Sequence, residues 1–164
     1  MDSTERWALD DASGAALRVW DGWEQVPAPL GSLVAVARSD WRPGTGRVDC
    51  RPNVVVSAGP VAAGADIAEL TTVAVAEALV GAERRHVLAY DLWPGNDTRP
   101  PGRRLCFAYQ QDGWGIAVSQ YLFVVDQILS VVTGTVGVDL ADALQPFFDS
   151  AGSYARLPGR TSAA

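Results

Sequence analysis

"RRLCFAYQQDGWGIAVSQYLFVVDQILSVVTGT", residues 103–135, carries apolar side chains at every second position, with Asp112-Gly113 between its first two runs. A period of two places successive side chains on opposite faces of a strand, and Asp-Gly is a favoured two-residue hairpin turn. The spacing predicts a hairpin in which Tyr109 faces Ile116, Phe107 faces Val118 and Leu105 faces Gln120. These residues share one side of the sheet, while Cys106, Ala108, Ala117 and Ser119 share the other. A second reversal near Asp126-Gln127 continues the meander and sets Leu129 and Val131 on the side of Leu122 and Val124. Asp-Gln is a poor type I′ turn, so the turn fixes this third strand's register less firmly.

Working outward, "RHVLAYDLWP" (85–94) is a strand ended by Pro94, and "GNDTRPPG" is a loop. Before it lies a helix with Asp66 as N-cap, Glu69 three residues on, and Gly81 as C-cap. Ile67, Leu70, Ala74 and Ala78 give it a narrow apolar face, and the β-branched Val73 and Val75 make it depend on packing. Further upstream, "ALRVWDGWEQVP" predicts a short strand or tight turn, and "GSLVAVARS" and "NVVVSAGPV" predict short strands, with "DWRPGTGRVDCRP" a loop between the last two. Downstream, Leu140, Ala143, Leu144, Phe147, Phe148 and Ala151 follow the spacing of a core-facing helix capped by Asp139. Pro146 predicts a kink or break in it. Residues 1–157 are expected to form one domain and 158–164 a disordered tail. Strands, helix, strands, helix is the order of an α+β sandwich on a mainly antiparallel sheet.

A chain of 164 residues buries about 70% of its unfolded surface, enough for a core without disulfides or metals. The net charge of −6 argues against a nucleic-acid partner. All thirteen basic residues are Arg, so lysine Schiff-base and Walker-type chemistry are absent. Cys50 and Cys106 are too few and too far apart for a disulfide framework or metal knuckle, and free thiols are expected. The acidic opening "MDSTERWALDDASG" lacks the features of a signal peptide, and no apolar run spans a bilayer. A cytoplasmic location without a membrane span is the expectation.

Catalytic signatures are sparse. His86 is the only histidine and stands on a strand beside Arg84 and Arg85, where a surface role is the simpler reading. The chain has no GxSxG, HExxH, GxxxxGK[ST] or helix-opening GxGxxG motif. Asp91, Asp97, Arg99, Arg103 and Arg104 could hold an anion or serve acid-base work, or be compensating surface charges. Cys106, between Leu105 and Phe107, has the setting of a packed thiol. No catalytic residue, cofactor or metal is assigned. The tryptophans are more informative, because Trp20, Trp23, Trp93 and Trp114 fall at turns or strand ends. Aromatics there either cap a core or anchor a partner, and these four are the candidate partner-binding residues.

"CRPNVVVSAGPV", "GRRLCFAYQQDGWGIAVSQYLFVVDQILSVVTGT" and "LADALQPFFDSAGSYARL" together resemble the LpqN-type family of actinobacterial proteins, grouped with DcrB and the photosystem protein PsbP. The matching features are the strand Pro52 to Val56, the acid cap Asp66, and the runs Gly102 to Phe107, Gly115 to Val124 and Val131 to Thr135. The likeness covers roughly residues 30 to 157 and is one of layout, without a catalytic set. It implies an α/β/α sandwich around an antiparallel sheet and no enzymatic activity. Understood members act by binding: one stabilises a photosynthetic complex, one binds a small GTPase, and some chaperone secretion-system effectors. LpqN-type proteins are often exported lipoproteins with a lipobox cysteine, which this chain lacks, so the resemblance points to a cytoplasmic relative.

Three functions follow for comparison. The first is a non-enzymatic module, an adaptor or chaperone, that binds another protein. The second is a small-molecule or lipid carrier with a pocket between sheet and helices, which needs a cavity above about 300 Å³. The third, an enzyme built on His86 or the Asp91/Asp97/Arg103/Arg104 region, requires those side chains to converge in one concave site. Neither the partner's identity nor the oligomeric state follows from the sequence.

Overall fold

The computed structural model describes residues 6–42, 50–80 and 83–158. A ribbon of β1 (Arg6–Leu9) and β2 (Ala16–Val19) precedes β3 (Trp23–Val26), β4 (Ser32–Arg38) and β5 (Asn53–Pro60). Helix α1 (Ile67–Val80), β6 (Glu83–Trp93), β7 (Gly102–Gln111), β8 (Trp114–Val125), β9 (Ile128–Gly137) and α2 (Ala141–Tyr154) follow. The seven strands from β3 onward form one antiparallel sheet in the order β3-β4-β5-β9-β8-β7-β6. One helix lies on each face, which makes an α+β sandwich.

The β7–β8 register follows from the hydrophobic alternation: Tyr109 pairs with Ile116, Phe107 with Val118 and Leu105 with Gln120. In β9, Leu129 pairs with Val124 and Val131 with Leu122. Both hairpins turn through two left-handed residues, Asp112 and Gly113 in the first, Asp126 and Gln127 in the second. Burying one face of β9 therefore holds the register despite an unfavourable turn residue.

Even-numbered residues of β8 face α1 and odd-numbered ones face α2. The larger core lies on the α2 side, where Phe148 and Ala151 meet Tyr121, Phe123, Val132 and Val136. Two glycines set how closely α2 sits. A Cβ on Gly134 would lie 2.5 Å from the Phe148 ring, and one on Gly152 would fall on the Tyr121 ring. The β1–β2 ribbon seals this side: Ala8, Ala15 and Leu17 join the core, and Ala16 exchanges backbone hydrogen bonds of 2.9 Å with Arg156 beyond α2. The smaller core, on the α1 side, is built on Ala78, Leu105 and Leu122.

Asp66 caps α1 as expected, its Oδ1 accepting from the Ala68 N–H at 2.8 Å. At α2 the expectations need correction. Val138–Leu140 form a 3₁₀ turn, so Asp139 lies inside that turn and Leu140 precedes the helix with no side-chain cap. Leu140 is exposed because it lies in that turn and off the helical stripe, and Ala143, in the first turn of α2, is exposed as well. The helix runs unbroken through Pro146, which is exposed in its second turn and removes one backbone donor. The sequence pattern also missed β1. Gly81, part of the loop (residues 43–49) and the tail from 159 lie outside the described residues.

Candidate functional site

The α1 side of the sheet is only partly covered. Helix α1 packs over β6 and β7 through small residues, with Thr71 and Ala78 its buried positions. Small contact residues let the helix approach its own strands but carry too little bulk to reach across β9. A groove of about 670 Å³ remains between α1 and the sheet. Its floor is Phe107 and Tyr109 of β7, Val118 of β8 and Val131 of β9, edged by Thr133 and Thr135. The Phe107 and Tyr109 rings stack along it, with centroids 6.2 Å apart. Arg85 closes one end: its guanidinium donates to the Glu77 and Ala78 carbonyls at the end of α1 and lies 5.8 Å from the Tyr109 ring centroid. Trp114 stands on the same sheet face at the hairpin tip, 42% exposed.

The α2 side holds a polar network instead. The fully buried Tyr121 donates its hydroxyl to Asp149 Oδ1 at 2.6 Å. Gln145 Nε2 donates to the same Oδ1 at 2.8 Å, and its Oε1 accepts from the Ser119 hydroxyl at 2.9 Å. Cys106 Sγ lies 3.4 Å from that hydroxyl. Arg104 reaches Asp149 at 3.3 Å and binds Asp91 through Nη2 at 2.6 Å, an ion pair that keeps the guanidinium charged. Burial, more than any neighbour, pushes the Tyr121 hydroxyl and the Cys106 thiol above their ordinary pKa values, so both stay protonated at neutral pH. The network can lock α2 to the sheet, but it holds no activated nucleophile.

The four candidate tryptophans fall in three settings. Trp23, 3% exposed, stacks on Phe147 at 4.2 Å, and the half-buried Trp20 meets the same ring at 4.1 Å. Trp93 sets its ring edge-on to Tyr121 at 4.8 Å under the Arg104 guanidinium. Trp114 alone of the four is exposed.

The residues considered for catalysis do not converge. His86 is exposed on the outer strand β6, Arg103 lies near the Tyr90 ring on the α1 side, and Arg104 points to the opposite face. Only Asp91 and Arg104 are brought together. Among the described residues no group of three or more His, Cys, Asp or Glu could hold a metal ion. Cys50 and Cys106 are free thiols. No described helix is long and apolar enough to cross a membrane. The Gln145/Asp149 pair went unnoticed in the sequence, although two polar residues four apart beside Phe148 are a legible sign of a partnered buried site.

A seven-stranded antiparallel sheet with a helix on each face, one face sealed and the other grooved, defines an α+β sandwich of the PsbP-like kind. Its backbone matches LpqN of Mycobacterium tuberculosis, involved in cell envelope biogenesis, with a TM-score of 0.67 at 13% identity, over 96% of this chain and 87% of that one. Cyanobacterial PsbP of Synechocystis matches with a TM-score of 0.63 at 16% identity, over 93% and 91% of the two chains. The Ran-binding protein Mog1p of Saccharomyces cerevisiae matches with a TM-score of 0.56 at 10% identity, over 88% and 84%. At these identities the likeness is one of fold. The sequence matches no family model, and no curated protein matches it.

Proposed function

We propose that this chain is a non-enzymatic protein-binding module, an adaptor or chaperone, which receives its partner on the α1 side of the sheet. The observation that carries this is the groove: aromatic floor, polar edge, and an exposed tryptophan on the same sheet face. Exposed aromatics beside a concave apolar surface are the usual anchors of protein contacts. Trp114 has the exposure such an anchor needs; Trp93, Trp20 and Trp23 support the rim and the α2 side through their ring contacts. The net charge of −6 favours a basic partner. That Mog1p, of the same fold, is named for binding another protein adds support at the level of fold.

The test is a photo-crosslinking residue at position 114, compared with one at the exposed Leu30 on the far edge of the sheet. One protein captured at 114 and not at 30 is expected. Its measured affinity should then fall by roughly 30-fold or more with Trp114→Ala, as for a hot-spot residue. Equal labelling at both sites, or an unchanged affinity, refutes the proposal.

The groove's volume of about 670 Å³ also favours a second reading, a small-molecule or lipid ligand. Purified protein that carries a bound small molecule in native mass spectrometry, with no protein captured at 114, would establish that reading instead.

A further inference from the structure

Strand β6 is one edge of the sheet; two register irregularities and the run Arg84, Arg85, His86 blunt its first half, whereas its ladder from Ala89 to Trp93 is regular. The opposite edge, β3, is four residues long, bears Glu24 and Gln25, and runs into Pro27. By contrast β6 spans eleven residues without proline. Of the thirteen exposed large hydrophobic residues among those described, four, Val87, Leu88, Tyr90 and Leu92, lie on β6, more than on any other element. Leu88 is 63% exposed, Tyr90 43% and Leu92 69%. A long edge with free backbone groups and bare apolar side chains is a template for another strand.

We infer that β6 pairs with β6 of a second copy of this chain, antiparallel across a two-fold axis at Tyr90, joining two seven-stranded sheets into one. The pattern of β6 selects both partner and register. Tyr90 then faces Tyr90 of the partner subunit, and Leu88 and Leu92 face each other's counterparts, leaving each exposed apolar side chain an apolar neighbour. Moving the axis to Asp91 would set two aspartates directly opposite, which disfavours that register. A bulge at Leu88, where Val87 pairs with Phe107 but Ala89 with Cys106, limits the ladder to this short central run. The assembly would carry both α1 grooves on one continuous face, and it stands independently of what those grooves bind.

Cysteine placement tests the interface and its register together, against wild type as the blank for Cys50 and Cys106. Residues directly opposite have Cβ atoms roughly 4.5–5.5 Å apart, so Tyr90→Cys should yield a covalent dimer on mild oxidation. Leu92→Cys should not, because its own counterpart lies about 13 Å away along the strand. Sedimentation velocity should show a wild-type dimer that dissociates on dilution, with Leu92→Arg weakening it by about tenfold or more through an unpaired charge. Circular dichroism of each variant confirms that the exposed substitutions leave the fold intact. A wild-type monomer at roughly 100 μM overturns the inference. So does a dimer in which Leu92→Cys crosslinks as readily as Tyr90→Cys. Crosslinking of position 90 to a different protein, with the purified chain monomeric, overturns it in favour of a foreign strand on the same edge.

Discussion

Tyr121→Phe isolates the polar lock between α2 and the sheet. The phenol is fully buried, so the substitution leaves packing nearly unchanged and removes one hydroxyl. That hydroxyl donates to the Asp149 carboxylate at 2.6 Å and accepts from Gln145 Nε2 at 3.1 Å. A hydrogen bond to a charged acceptor is worth about 1.5–3 kcal/mol, and Asp149 keeps its contacts with Gln145 and Arg104, so the expected loss at pH 7 lies in that range. The pH dependence has a definite sign. Burial and Asp149 raise the Tyr121 pKa above its ordinary value of 10.0, so the folded state retains a proton that the unfolded state releases. The stability that follows is fully present below about pH 10 and lost as pH rises beyond it. The phenylalanine variant lacks this term, and the gap between the two proteins should shrink by about 1.4 kcal/mol between pH 7 and pH 11. Urea unfolding of both proteins at pH 7, 9, 10 and 11 measures it. A gap that stays constant across this series, or one below about 0.5 kcal/mol at pH 7, would refute the lock.

Gly152→Ala places a methyl on the Tyr121 ring, which its hydrogen bonds hold in place, and should cost about 1–3 kcal/mol or more in denaturant melts. Gln127→Gly relieves a left-handed non-glycine residue and should stabilise by about 0.5–1 kcal/mol, with the Val61-to-Gln127 backbone hydrogen bond retained. Trp114→Ala should change stability by less than about 0.5 kcal/mol, while Trp93→Ala, which strips a ring from Tyr121 and Arg104, should cost about 2–3 kcal/mol. Asp66→Ala removes the α1 cap and should cost about 1 kcal/mol, visible as faster amide exchange in the first turn of α1.

The β7–β8–β9 meander was legible because its information is local: a period of two and an Asp-Gly turn fix which side chains share a face. Strand β1 was not, since "RWAL" has no clear alternation and takes its extended form from pairing with β2. Leu140 fits the helical stripe by spacing alone, but the stripe assumes that the α-helix begins there, and a 3₁₀ turn intervenes. Trp114 was placed at the hairpin tip from sequence, whereas the burial of Trp23 depends on Phe147, more than 120 residues away. The groove could not be read from any one segment. Its existence depends on how far α1 extends over the sheet, a matter of tertiary packing between Ala78 and the strands.

The two faces of the sheet divide the work of the molecule. On the α2 side, glycines at 134 and 152 bring helix and sheet into close contact, the ring cluster of Trp20, Trp23 and Phe147 fills one end, and the Tyr121–Asp149 network spans the other. Opening that face to admit a partner would break a core and expose a partnered carboxylate, each costing several kcal/mol. The α1 side carries no such penalty. Its helix has only two buried residues, exposes Val73 and Leu79, and leaves the Phe107–Tyr109 floor accessible. A partner entering there adds apolar contact to a surface that is already formed, so binding energy is not spent on rearranging the sheet. Stability concentrated on one face is what permits the other to remain available for recognition.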